Sequence, residues 1–204
     1  MPSNAQFSKT YLGKIFREKH SIIDIGGGLR LLSDKGNRQT PEHQWLREYL
    51  DKVDYKILDP VPDYHPDIVG DIHHLPLQDE SVDAIICVSV LEHVENPLQA
   101  VTEMRRVLKK GGYCFIYVPF LYYYHAERGY YKDYWRFSED AVRLLAKDFT
   151  SIVLENTRGA LETWLKISPL GRVGFLMAVA RLADTFFRKT RSKQTSGYQV
   201  FLVK

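Results

Sequence analysis

Cysteine is scarce in this chain, with two among 204 residues. Cys87 and Cys114 each sit in an apolar, strand-like run without metal-ligand spacing, so buried reduced thiols are expected rather than a disulfide framework or a cysteine metal site. Long apolar runs are missing too, and nothing approaches the ~18 residues needed to cross a bilayer. The first twenty residues, MPSNAQFSKTYLGKIFREKH, lack the continuous apolar stretch of a secretory leader, and a reducing cytoplasm is the expected setting. Charge imbalance is also small. Twenty-eight Lys and Arg against 25 Asp and Glu leave +3, too little to imply nucleic acid, and the basic residues are scattered until FRKTRSK near the end. With no internal repeat and no low-complexity linker, residues 1–204 read as one domain.

What is present is an alternation of strand-like and helix-like segments, which predicts an α/β fold around a mostly parallel sheet. QFSKTYLGKIFREK reads as an opening helix and SIIDI as the first strand. PEHQWLREYLDKV, with proline at its start and apolar residues at helical spacing, reads as the first crossover helix. YKILD and the short DIVG follow as strands, and VDAIICVSV is apolar throughout, as a strand covered on both faces should be. NPLQAVTEMRRVLKKGG carries Asn96 as cap, Pro97 in the first turn, a basic last turn and glycines to stop it. YCFIYVPF, the Ser138-capped helix SEDAVRLLAKDF, and the strands SIVLENT and YQVFLVK complete the pattern.

The first strand runs straight into three glycines, Gly26, Gly27 and Gly28. Ligands of open α/β sheets bind outside the carboxyl ends of the strands, so this turn is either a cradle for a nucleotide-like ligand or a tight turn that merely uses glycine. The acids nearby favour the cradle. Asp24 closes the first strand; Asp59 ends the second, where a carboxylate can accept bonds from ribose hydroxyls; Asp71 follows the third, placed for an adenine amino group. A dinucleotide fingerprint fits poorly. Its sixth position, counted from Gly26, is Leu31 rather than glycine, and Asp59 comes 31 residues after Gly28 instead of the usual ~20. That argues against a nicotinamide-dependent oxidoreductase. No P-loop lysine follows either.

The segments IIDIGGG, YKILD and GDIHHLPLQDESVDAIICVSVLEHVENPLQAVTEMRRVLKKGGYCFIYVPF together resemble the class I S-adenosylmethionine-dependent methyltransferases of the type 11 group, over residues 21–120. The resemblance implies a Rossmann-like seven-stranded sheet of order 3-2-1-4-5-7-6 with the seventh strand antiparallel, and S-adenosylmethionine as cofactor. It implies that Asp24, Gly26, Gly27 and Gly28 line the methionine end, that Asp59 holds the ribose, and that Asp71 and Ile72 flank the adenine. Ser89, Leu91 and His93 would lie near the sulfonium. The pattern D-x-G-x-G-x-G of that group is broken here by Arg30 in the third glycine position, and the extra stretch RLLSDKGNRQ precedes the first crossover helix. Arg30 either pairs with the cofactor's carboxylate or points to solvent.

Methyl transfer to a carbon already activated by positive sulfur depends mainly on positioning, with a base only where the acceptor has a proton to lose. FLYYYHAERGYYKDYWRF, six of whose eighteen residues are tyrosine, is the candidate acceptor segment. Its functional reading makes His125 a general base, Tyr130, Asp133 and Tyr134 polar lining, and Arg136 an anion clamp; its plainer reading is an aromatic lid or core patch. DYWRF points to a small-molecule or glycan-like acceptor by resemblance to enzymes of sugar pathways. His73 and His74 form the one histidine pair, with no third ligand at useful spacing, so no metal is expected. A cofactor-binding protein without catalysis is the alternative function.

One segment is left over. Residues 160–190 read as an apolar helical hairpin broken at Ser168-Pro169, too hydrophobic to leave in water. It is expected to pack on protein, over the acceptor pocket or in a homodimer, rather than on a membrane surface.

Overall fold

A computed structural model of the chain describes residues 4–32 and 41–204. Seven strands form one sheet in the order β3-β2-β1-β4-β5-β7-β6. They are β1 (Ser21–Ile25), β2 (Asp54–Asp59), β3 (Ile68–Val69), β4 (Val82–Val88), β5 (Leu108–Pro119), β6 (Ser151–Asn156) and β7 (Gly197–Val203). β7 runs antiparallel to both of its neighbours, while the other pairs are parallel. The α/β architecture, the strand order and the reversed seventh strand agree with the expectations above.

The strand period of two splits the core between the two faces of the sheet. Ile23, Ile25, Ile85 and Cys87 face one cluster, closed by helices α2 (Pro97–Val107) and α3 (Glu139–Leu145). Ile22, Ala84 and Ile86 face the other, where Phe7, Leu12, Ile15 and Phe16 of α1 (Asn4–Glu18) fill the space. PEHQWLREYLDK, expected as the first crossover helix, packs on this second face and is wound as tight 3₁₀ turns over Pro41–Lys52 rather than as an α-helix. Residues 33–39 of the inserted stretch lie outside the described residues. Both cysteines are fully buried, and burial pushes each thiol well up from its ordinary range, so neither ionises readily.

Two boundaries differ from the sequence reading. α2 ends at Val107, and Leu108 already pairs with Val82 of β4 across a register shift, so LKKGG belongs to β5. The side chain of Lys204 explains the early stop. Its ammonium donates to the carbonyls of Arg106 (3.3 Å) and Leu108 (2.6 Å), taking up acceptors that another helical turn would have used. Gly111 adopts φ +70° within this irregular stretch and donates its N–H to Lys204 O.

The second concerns the hairpin, α4 (Ala160–Lys166) and α5 (Gly174–Phe186), joined through a 3₁₀ turn at Pro169–Arg172. The break at Ser168-Pro169 is where the sequence placed it. Within the single chain the hairpin's outer side is uncovered: Trp164, Phe175, Leu182, Phe186 and Phe187 are all strongly exposed. No helix among the described residues is long and apolar enough to cross a membrane.

Candidate functional site

The glycine turn leaves β1 against the end of β4. Gly26 donates its N–H to Leu58 O at 2.8 Å, and Gly26 and Gly27 take φ of +75° and +58°. A Cβ on Gly26 would stand 2.6 Å from Val90 Cγ2, and one on Gly28 would stand 2.6 Å from Val88 O. The chain itself, through a valine side chain at Gly26 and backbone at Gly28, therefore comes close enough to demand glycine. Arg30, where the resembling group has glycine, also sits at a positive φ of 54°, a conformation that costs a non-glycine residue about 1–2 kcal/mol.

Asp24 is completely buried beneath this turn. Its Oδ2 accepts from Tyr55 Oη at 2.5 Å and from Leu29 N at 3.1 Å, while Oδ1 has no partner among the described residues. Burial pushes its carboxyl up from 3.8 to about 7 against the opposing pull of those bonds. Asp59, also buried, closes the neighbouring strand and accepts from Val61 N at 2.8 Å; burial raises its pKa as well. Asp71 is more open. Burial pushes it up, but the backbone and ring N–H of His73, at 2.8 and 2.7 Å, outweigh this and hold its pKa low.

His73 and His74 act as ties to α2. His73 Nε2 accepts from Asn96 N at 3.2 Å, and Gln99 Nε2 reaches both His73 O and His74 Nε2. Ile72 and Leu91 are buried in the core cluster. Leu91 packs there beside Val101, Ile116 and Val142, directly after β4. Ser89 has a φ of 55° and donates its N–H to Tyr117 O at 3.2 Å.

Beyond β4 and β5 the structure brings His93 and His125 together, ring centroids 4.8 Å apart, around a residue the sequence reading passed over. Glu92 is 1% exposed, and neither of its carboxylate oxygens has a hydrogen-bond partner among the described residues. His125 Nε2 lies 3.5 Å and His93 Nε2 3.9 Å from Glu92 Oε1, too long for good hydrogen bonds. Even so, the adjacent Glu92 raises the pKa of His125, outweighing its partial burial. Each ring is fixed from its far side. Lys132 O faces His93 Nδ1 at 2.7 Å, and Tyr123 O and Asp133 Oδ2 face His125 Nδ1 at 3.1 and 3.3 Å. Tyr131 packs on His93 at 4.4 Å, and Tyr130 stacks on Tyr64, which follows β2.

Arg136 is not an anion clamp. Its guanidinium donates to Asp133 Oδ1 and Oδ2 at 2.6 and 2.7 Å, and to the carbonyls of Tyr122, Tyr123 and Trp135. A guanidinium has five N–H groups, and all five are engaged. The Arg136 bonds hold the Asp133 carboxyl at about 2. Tyr134 likewise has its hydroxyl donated to Glu95 Oε1 at 2.9 Å, directed at a neighbouring acid rather than at the two histidines. The missed residues had one faint signal. Glu92 stands between a buried leucine and His93, immediately after an apolar strand, where an unpaired acid is rarely buried without purpose.

A sheet of this order, with a glycine turn and acids at the carboxyl ends of adjacent parallel strands, is the Rossmann-like fold seen in solved S-adenosylmethionine-dependent methyltransferases. Residues 46–116, about a third of the chain, match a family described as a methyltransferase domain. The chain is 28% identical over 115 residues to an uncharacterized methyltransferase of Schizosaccharomyces pombe, covering 51% of this chain and 41% of that protein. The matched stretches span between 13% and 41% of the curated relatives' own lengths. A methyltransferase crystal structure from Archaeoglobus fulgidus shares the fold at a TM-score of 0.59 and 13% identity, covering 97% of this chain and 98% of that one. Phosphoethanolamine N-methyltransferase 2 of Haemonchus contortus, solved with S-adenosyl-L-methionine, does so at 0.52 and 12%, covering 97% and 51%.

Proposed function

We propose that this chain transfers a methyl group from S-adenosylmethionine to a small-molecule or glycan-like acceptor, acting as a single domain in a reducing, cytoplasmic setting. The observation that carries the reading is Asp24 Oδ1, a buried carboxylate oxygen beneath the glycine turn with no partner among the described residues, beside Asp59 at the end of the next strand. Such an oxygen suits the cationic methionine end of the cofactor, and Asp59 suits its ribose hydroxyls. Asp71, tied to His73, sits where the adenine edge would lie. When bound, the cofactor supplies a methyl group on positively charged sulfur.

The chain's own work is then positioning and proton removal. Tyr64 and Tyr130 stack as one wall of the acceptor side, with Tyr131 against His93. With the cofactor held by Asp24 and Asp59, these residues would orient the acceptor's lone pair towards the methyl group that the cofactor would supply. The acceptor's proton passes to the cluster of Glu92, His93 and His125, where His125 Nε2 faces the buried carboxylate. Glu92 stabilises the imidazolium that results. A nicotinamide dinucleotide is disfavoured, because Leu31 fills the sixth position of the turn with a fully buried side chain.

Calorimetric titration of the chain with S-adenosylmethionine and, separately, with NAD tests the reading. Heat with the first and none with the second is expected. Binding of NAD alone would overturn it.

A further inference from the structure

We infer that Glu92, His93 and His125 form a binding site for one first-row divalent metal ion, which in the proposed reaction would ligate the acceptor. The ligand atoms, one from each residue, lie within 4.8 Å of one another. Two ligands held about 2.1 Å from zinc at a tetrahedral angle are about 3.4 Å apart, and the separations from Glu92 Oε1 are 3.5 and 3.9 Å.

Proton placement strengthens the case. The carbonyl of Lys132 assigns the ring proton of His93 to Nδ1, and Tyr123 O with Asp133 Oδ2 does the same for His125. Both Nε2 lone pairs then face a buried carboxylate that has no hydrogen-bond partner among the described residues. Three electron-rich groups converge with nothing positive between them. Nδ1 bonded to a carbonyl or carboxylate, with Nε2 free, is how a metal-bound histidine is usually held. Two imidazoles and a carboxylate suit zinc, iron(II) or manganese, and three protein ligands leave a position open for an acceptor oxygen or nitrogen. An acceptor hydroxyl on that ion would lose its proton to water, with the ion in place of His125 as the activating group. This last step rests on the methyltransferase reading; the site itself does not.

The test uses untagged protein dialysed against micromolar zinc sulfate, then freed of loose ions and analysed for metal. One zinc per chain is expected, lost in His93→Gln and in Glu92→Gln. Cobalt(II) in its place should give visible d–d absorption that both variants lack. Circular dichroism and S-adenosylmethionine titration on the same samples show whether each variant is folded and keep failure of the metal site distinct from failure of the cofactor site. Wild-type protein that retains no zinc, or folded variants that retain as much as wild type, would overturn the inference.

A different observation carries a second proposal: we propose that the α4–α5 hairpin seats the protein on an anionic membrane surface. The hairpin is polar within and apolar without. Asp184 accepts from Leu161 N and Glu162 N at 2.9 and 2.8 Å, and Arg181 pairs with Glu162 at 2.7 Å, both acids being buried between the helices. Outside, Phe175, Val179, Leu182 and Phe186 form one exposed stripe at helical spacing, continued by Trp164 and Phe187. Residues 158–193 hold eight Arg and Lys against two acids, giving +6, while the whole chain carries +3. Two copies meeting through this face would bring +6 against +6, whereas anionic headgroups complement it.

Flotation with vesicles of phosphatidylcholine, alone and mixed with phosphatidylglycerol, decides it, beside sedimentation without lipid. The chain should float with the mixed vesicles, less so at high salt, and Phe175→Ser with Phe186→Ser should abolish flotation without changing the circular dichroism spectrum. Failure to float with anionic vesicles would overturn the proposal, as would a homodimer lost in the same double variant.

Discussion

Asp24→Asn separates what the buried acid does for the fold from what it does for the site. The folded carboxyl titrates at about 7 because burial penalises its charge, whereas an unfolded aspartate titrates near 3.8. Between these values the folded chain holds a proton that the unfolded chain has released, so stability falls as pH rises from about 4 to about 7 and stays reduced above. The rise in pKa corresponds to about 4 kcal/mol, at about 1.4 kcal/mol per tenfold change in proton affinity. Asparagine keeps the shape and an acceptor for Tyr55, but never carries the charge.

Ligand-free Asp24→Asn should therefore match the parent near pH 4 and exceed it at pH 8, by a margin of the order of a few kcal/mol. Urea unfolding at the two pH values measures the difference. The same substitution should weaken S-adenosylmethionine binding by roughly 1.5–3 kcal/mol, since the cation loses its partner. A variant destabilised equally at both pH values would refute the reasoning, because it would mean that Asp24 is held as a charge already compensated in the apo fold.

Asp59→Ala should weaken S-adenosylmethionine binding by roughly 1.5–3 kcal/mol in calorimetry while leaving the fold intact. His125→Ala should lower turnover on the true acceptor by roughly 10²–10⁴ with cofactor affinity unchanged, and a folded variant with full turnover would reduce His125 to lining. In metal-free protein, where His125 itself would take the proton, the upward shift that Glu92 gives its pKa should make kcat/KM climb with pH through a value above the ordinary imidazole range. Arg136→Lys should loosen the Tyr122–Phe137 segment, seen as faster amide exchange there and a lower Tm, because one ammonium cannot replace five directed donors.

The scaffold was legible because its signals are local. The apolar run of β4, the Asn96-Pro97 start of α2 and the Ser138 cap each fix an element within a few residues of sequence, and each is where the reading put it. What stayed hidden depends on distant partners. The end of α2 is set by Lys204, nearly a hundred residues away, so the basic run and glycines after Val107 looked like helix. Glu92 gave little sign of itself because its meaning lies in His125, which arrives from the far side of β5. The hairpin was read as needing protein cover because spacing alone cannot show which face holds the ion pairs. Here Glu162 and Asp184 turn inward and the aromatics are left outside.

The same dependence on distant partners resolves the glycine and arginine positions. Glycine at 26 and 28 is first required by Val90 and Val88, so Gly26→Val would disturb the β1–β4 contact before any ligand met the new side chain. A valine there reports on folding, and carboxylate substitutions are the cleaner probe of the cofactor edge. Arg136 follows the same logic on the acceptor side. Its bonds to Asp133 and to three carbonyls shape the loop, Asp133 in turn accepts from His125 N at 2.8 Å, and Glu92 O accepts from Tyr134 N at 2.8 Å. DYWRF is therefore the frame that aims His125 at Glu92, and the chemistry falls to residues outside the motif.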